Sequence, residues 1–131
     1  MSSSTPDRVA VVIEDDDDVR DLLHLVLTSS GYLVHTAPAG LAGVEMVRRF
    51  VPDVVTLDIG LPDIDGCEVA RRIRRFSSAF LIMLTARAEP ADEARGYEAG
   101  ADRYLRKPFR PADLRRDLEA VPRRSSGTPG G

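Results

Sequence analysis

Hydrophobic and polar residues alternate along the chain in blocks that predict five strands, each followed by a helix. The strand-like blocks are short and mostly apolar, which is typical of strands buried on both faces. They cover Arg8–Ile13, Tyr32–Ala37, Val54–Asp58, Phe80–Thr85 and Arg103–Arg106. The stretches between them carry apolar residues at three- and four-residue steps, as in helices that bury one face. Repeated strand–helix alternation predicts an α/β fold with three layers, a doubly wound parallel sheet covered by helices on both sides.

Local signals predict where some of these helices begin and end. We expect Asp17 or Asp18 to cap the first helix, and a glycine at Ser29–Gly31 to end it. The second helix should end before Pro52, and the last should run from about Pro111 to Ala120. The predicted domain covers residues 8–120. Residues 1–7 are expected to form a flexible tail, and residues 121–131 a flexible tail or the start of a linker.

Polar residues stand where four of the predicted strands end. Glu14 and Asp15 follow the first strand, Asp58 ends the third, Thr85 ends the fourth and Lys107 follows the fifth. In a parallel sheet these ends share one edge, where ligands of such folds bind. Clustered carboxylates call for a cation, and hard oxygen ligands suit Mg²⁺. An aspartate can accept a phosphoryl group as a mixed anhydride, with the metal and an ammonium neutralising its oxygens and the Thr85 hydroxyl donating to one of them.

Other polar residues have simpler interpretations. The acidic run Asp16–Asp18 is mostly a solvated helix N-terminus, which the helix dipole favours. His24 and His35 lack partners at metal-ligand spacing and are read as surface or helix-packing residues. Cys67 is interpreted as a packing residue.

The chain resembles a CheY-like receiver domain of two-component response regulators over roughly residues 8–120, and is most similar to receivers of winged-helix (OmpR-type) transcription factors. Four segments carry this resemblance: Val11–Asp16, Leu57–Gly66, Leu84–Arg87 and Gly100–Phe109. The resemblance implies the strand order 2-1-3-4-5. It also implies that Asp58 takes its phosphoryl group from a phosphohistidine on a sensor kinase.

The resemblance also assigns the other site residues. Asp15 would bind Mg²⁺ directly and Glu14 mainly through water, while Asp58 and the backbone carbonyl of Gly60 would complete the protein ligands. Lys107 would pair with the phosphoryl group, beside a cis peptide bond. The switch would be Thr85, moving toward the phosphoryl group, with Tyr104 turning inward behind it. The output face would comprise the fourth helix, fifth strand and fifth helix.

Two features depart from the family pattern. Gly60 stands where relatives often carry a side chain over the site, so we expect open access of water, partly offset if Arg87 reaches across. On the output face, the expected intermolecular ion pairs are altered. Arg103 and Asp117 resemble one pair with exchanged charges, and Glu93 and Asp113 carry the same charge. Phosphorylation-dependent dimerisation therefore stays open.

Composition sets the remaining expectations. The 131 residues are 43% hydrophobic and 30% charged, with a formal net charge of −3 and a single cysteine, which suits one cytoplasmic domain in a reducing compartment. No apolar run approaches the roughly 20 residues that span a bilayer, and the charge balance predicts no nucleic-acid contact by the chain itself.

The sequence is compatible with three functional hypotheses. The first is a non-enzymatic switch that controls transcription through a domain outside the chain. The second is a stand-alone receiver that acts by docking to a partner protein. The third is a Mg²⁺-dependent phosphatase with an aspartate nucleophile, but that class places Asp-x-Asp after the first strand, where this chain has Glu14-Asp15-Asp16.

Overall fold

The computed structural model describes residues 8–86 and 89–122, and it contains five strands and five helices in strict alternation. Their bounds, in chain order, are β1 Arg8–Ile13, α1 Asp17–Ser29, β2 Tyr32–Ala37, α2 Gly40–Phe50, β3 Val54–Asp58, α3 Gly66–Arg74, β4 Phe80–Thr85, α4 Pro90–Ala99, β5 Arg103–Arg106 and α5 Pro111–Leu118. The strands form one parallel sheet in the order β2-β1-β3-β4-β5. The predicted fold class and strand order are therefore confirmed.

Alternate residues of the central strands point to opposite faces of the sheet, so two hydrophobic cores form. On one face, Ile13, Leu57 and Met83 are buried against side chains of α2, α3 and α4. On the other face, Val12 and Leu84 are buried with side chains of α1 and α5. Both faces of the sheet are covered, which explains why the central strands read as continuous apolar runs.

The helix ends follow local chemistry, with two differences from expectation. Asp16, not Asp17 or Asp18, caps α1, because its backbone is extended and its side chain accepts the Val19 N–H. Gly31 follows this helix with φ at +96°, a conformation that glycine adopts without strain. The last helix ends at Leu118, two residues before the predicted Ala120, since the chain turns there instead of adding a further helical turn.

Residues outside the strand ends behave as structural residues. The His35 ring stacks on Phe50 with 3.6 Å between ring centroids, and His24 is exposed. Cys67 is buried, and burial raises the pKa of its thiol. Within the described ranges, each helix is either too short or too polar to cross a membrane.

The strand register places the predicted site residues at one edge of the sheet. Asp58 pairs with Leu84 in β4, and Thr85 pairs with Arg106 in β5. Glu14 follows the last residue of β1, and its N–H donates to the Ala37 carbonyl at 3.0 Å. Chain direction and register alone therefore bring together residues that are distant in sequence.

The positive φ of Val51 allows the cost of backbone strain to be tested. This β-branched residue ends α2 with φ at +45°, and it is 67% exposed, so little packing offsets the strain. We expect Val51→Gly to raise the free energy of unfolding by about 1 kcal/mol, because glycine adopts this conformation freely. Val51→Ala keeps a Cβ and should gain less. Urea denaturation of the three proteins measures the difference, and a destabilised glycine variant would contradict this account.

Candidate functional site

Five side chains meet at the carboxyl edge of the sheet, and they come from the ends of four strands or from the residues just after them. Asp58 and Thr85 are the last residues of β3 and β4, and both are buried. Lys107 directly follows β5; its N–H donates to the Thr85 carbonyl at 2.8 Å, and its peptide bond to Pro108 is cis, as the resemblance implied. Glu14 and Asp15 directly follow β1.

The three carboxylates form a compact cluster. One oxygen each from Glu14, Asp15 and Asp58 lie within 4.8 Å of one another. Glu14 is fully buried and Asp58 is 6% exposed, whereas Asp15 faces solvent. Three negative charges at this spacing repel one another, so the cluster needs positive charge close by.

Lys107 provides part of that charge. Its Nζ lies 3.1 Å from both oxygens of Glu14 and 3.3 Å from Asp58 Oδ1. The alignment suits a hydrogen bond only to Glu14 Oε2. Glu14 Oε1 is therefore buried in an ion contact without a hydrogen-bond donor. A second N–H donates to Oε2 from the Asp16 backbone at 3.1 Å.

The electrostatic consequences are clearest at the two buried acids. Burial, and then the charge of Asp58, raise the pKa of Glu14, while Lys107 offsets part of the rise. Burial also raises the pKa of Asp58. Lys107 and the Gly60 N–H lower this pKa in part, and the contact with Asp15 raises it further. Burial works against the charged form of Lys107, but its hydrogen bond to Glu14 and its attraction to Glu14 and Asp58 outweigh the burial and raise the pKa of Lys107.

The cluster fits a hard divalent cation. All its donors are carboxylate oxygens, the ligand type that Mg²⁺ prefers. The buried Glu14 Oε1 has an unfilled acceptor position, and one amine does not balance three carboxylates. An exposed Asp15 on the outer side leaves the cluster open to water, which Mg²⁺ usually retains.

Comparison with known proteins identifies the family of the chain. A family model described as the response regulator receiver domain matches residues 10–119. The chain belongs to this family. Among curated relatives, the transcriptional regulatory protein CseB of Streptomyces coelicolor is 44% identical over 119 residues, covering 91% of this chain and 51% of the relative. AfsQ1 of the same organism is 46% identical over 114 residues, 87% of this chain and 51% of the relative.

Solved structures agree with the fold of this receiver domain. The BeF3-activated receiver of RstA from Klebsiella pneumoniae is 31% identical with a TM-score of 0.82, covering 88% of this chain and 99% of that one. A response regulator structure from Chloroflexus aurantiacus is 34% identical with the same TM-score, covering 88% and 97%. The receiver domain spans about half the length of the curated relatives it matches, and those relatives are named as transcriptional regulators.

The predicted switch residues of the receiver lie beside one another. The Tyr104 hydroxyl is buried without a hydrogen bond of good geometry. Burial raises the pKa of Tyr104, and a polar contact with the Thr85 side chain offsets part of that rise. The ring lies against Gly96 of α4, where an added Cβ would come within 2.9 Å of Tyr104 Cε2. Tyr104 therefore takes the inward position behind Thr85.

Gly60 lies in the open, in line with the sequence reading. It is exposed, and a Cβ built there would meet no heavy atom within 4 Å. Arg87, which would offset this openness if it reached over the site, lies outside the described residues. A functional feature that sequence reasoning missed is Asp63, whose carboxylate binds the start of α2. Its only sequence signal was the turn chemistry of Pro62-Asp63.

The raised carboxyl pKa values predict how metal-free stability depends on pH. The folded receiver binds protons at Glu14 and Asp58 more tightly than the unfolded chain does. This stabilisation is complete at pH values below the ordinary carboxyl pKa of the unfolded chain. It is lost as pH rises through the raised pKa values of the folded state. In urea denaturation with a chelator, Asp58→Asn should therefore gain stability near neutral pH, by about 1 kcal/mol, and should gain less at about pH 5. Asp21→Asn, an exposed control in α1 beyond its first turn, should change stability little at either pH. An equal effect of Asp58→Asn at both pH values would contradict the assignment.

Proposed function

We propose that Asp58 accepts a phosphoryl group from a sensor histidine kinase and that the chain is a switch controlled by this modification. The observation that carries the proposal is the position of Asp58. Its buried carboxylate lies 3.3 Å from the Lys107 ammonium and within 4.8 Å of two further carboxylates, at the edge of the sheet. Nucleophile, cation and metal-binding oxygens are thus adjacent.

The chemistry follows from these groups. A carboxylate oxygen of Asp58 forms a bond to phosphorus while the bond to the kinase histidine nitrogen breaks, and that nitrogen keeps the electron pair. Lys107 Nζ neutralises charge on the phosphoryl oxygens, and the Thr85 hydroxyl donates to one of them. Glu14, Asp15, Asp58 and the Gly60 carbonyl would hold Mg²⁺. When bound, Mg²⁺ supplies charge neutralisation for the transferring group.

The response is carried by Thr85 and Tyr104. Thr85 is 3% exposed at the end of β4, and we propose that its hydroxyl moves toward the phosphoryl group. Tyr104 occupies the space behind it and contacts α4. We propose that phosphorylation stabilises this inward arrangement, which couples the site to the surface formed by α4, β5 and α5.

The partner on the output side is proposed from the relatives. Those named above are transcriptional regulators about twice as long as the matched region, which favours control of transcription through a domain outside this chain over a stand-alone receiver. Phosphorylation-dependent dimerisation is left open. Arg103 lies close enough to lower the pKa of Asp117 within one chain, although burial raises it overall. Asp113 is already engaged by Arg110 at the start of α5.

Labelling with acetyl phosphate in the presence of Mg²⁺ tests the acceptor. The unmodified chain should retain label on Asp58, and Asp58→Asn should take up none. Asp18→Asn, an exposed neighbour of the site, should label normally. Stoichiometric labelling of Asp58→Asn would refute the assignment. Turnover of added phosphoesters by the unmodified chain would favour the phosphatase alternative instead.

The lifetime of the phosphoryl group tests the role proposed for Gly60. Among residues 8–86 and 89–122, no heavy atom lies within 4 Å of a Cβ built at this position, so water should reach the acyl phosphate freely. We expect Gly60→Met to slow dephosphorylation severalfold by shielding the site, and Gly60→Ala, whose single carbon is too short to cover it, to change the rate little. Equal rates in all three proteins would exclude control of water access at this position.

A further inference from the structure

Within the proposed metal site, the backbone of Gly60 must be held in a fixed conformation. Its backbone carbonyl is the one metal ligand in the proposed set that no side chain can aim. Glycine has the widest conformational freedom of any residue, and no heavy atom of the described residues lies within 4 Å of a Cβ built on Gly60. The direction of the Gly60 carbonyl must therefore be fixed by contacts on either side of it.

On the N-terminal side, Ile59 is held by two backbone hydrogen bonds. Its N–H donates to the Leu84 carbonyl at 3.0 Å, and its carbonyl accepts the Gly66 N–H at 3.0 Å. These bonds extend the pairing of β3 with β4 and tie the loop to the start of α3. One boundary of the Gly60 segment is thus part of the rigid sheet.

On the C-terminal side, Asp63 supplies the anchor. Its two carboxylate oxygens accept the N–H groups of Gly40 and Leu41, each at 2.8 Å. These bonds lower the pKa of Asp63. Only Gly60, Leu61 and Pro62 lie between the two anchors. Proline has a fixed φ, and Leu61 is partly buried against the core, so the intervening segment has little freedom left.

The helix at the other end of this contact depends on Asp63. Residue 39, just before α2, is an alanine and makes no side-chain cap. Asp63 takes the place of that cap from 23 residues away in sequence. The two segments are also in close contact, because a Cβ built on Gly40 would lie 2.9 Å from Ile64 Cγ1 and 2.7 Å from Val69 Cγ2.

We propose that Asp63 is a positioning residue for the metal site: by binding the first turn of α2, it holds the Gly60 carbonyl in the direction that the cation requires. The inference rests on the proposed function, in which that carbonyl is a ligand. It gives α2, which contributes no ligand of its own, a part in metal affinity.

Removing the carboxylate tests the inference directly. Asp63→Ala should weaken Mg²⁺ binding by about tenfold or more, the usual scale for losing an outer partner of a metal ligand. Asp63→Asn keeps one acceptor oxygen, so its Mg²⁺ affinity should lie between those of the unmodified chain and Asp63→Ala. Titration of ¹⁵N-labelled protein with MgCl₂ measures the affinities. In metal-free protein, ¹⁵N relaxation at Gly60 should report greater mobility in Asp63→Ala.

A second substitution separates positioning from stability. Ala39 has the extended backbone of a capping residue, so Ala39→Ser can cap α2 locally. In the Asp63→Ala background it should restore the unfolding midpoint but not the Mg²⁺ affinity. Asp53→Ala is a matched control, because Asp53 accepts the Val9 N–H at 2.8 Å at the opposite end of the sheet. It should lower the midpoint and leave Mg²⁺ binding unchanged.

The possible outcomes distinguish failure of the role proposed for Asp63 from failure of the proposed metal site. If the unmodified chain binds no Mg²⁺, the proposed metal site is wrong. If it binds Mg²⁺ and Asp63→Ala binds equally well, the site stands and the role of Asp63 is refuted. Recovery of Mg²⁺ affinity by Ala39→Ser would also refute it, since stability of α2 alone would then explain the loss.

Discussion

The repulsion among Glu14, Asp15 and Asp58 is the constraint on which the rest of this site depends. A parallel sheet ends its strands at one edge, and here it brings three carboxylates within 4.8 Å. The fold tolerates this because Lys107 reaches both buried acids from the end of β5. In the proposed function, the same charge that costs stability would attract a divalent cation, so the destabilising cluster and the proposed site are the same residues.

The Lys107 contact also offsets part of the cost of burying Glu14 and Asp58. A buried carboxylate with no partner would protonate or unfold the region around it. Here the chain supplies its own cation, which holds Glu14 and Asp58 together in the folded state.

Sequence reasoning recovered the fold because its signals were redundant. Runs such as those of β3 and β4, apolar on both faces, leave little choice but a covered parallel sheet, and polar residues at their ends then have one place to meet. It failed by one residue at the cap of α1, because adjacent aspartates offer equal side chains and only backbone geometry selects Asp16. It could not find the Asp63 contact, because a bond to Gly40 leaves no trace at either position. The strand order came from resemblance, not from the residues themselves.

The contact between Tyr104 and Gly96 carries a consequence for the kind of signal this domain can send. The ring lies where a side chain on α4 would otherwise be, with Met83 also close to residue 96. Close-packed interiors have no partly filled positions, so an aromatic ring either occupies such a place or leaves it altogether. In the proposed switch, the surface of α4 would therefore take one of two shapes and no intermediate one. Such a receiver would signal phosphorylation as two discrete states, and a graded response would arise only from the fraction of molecules in each state.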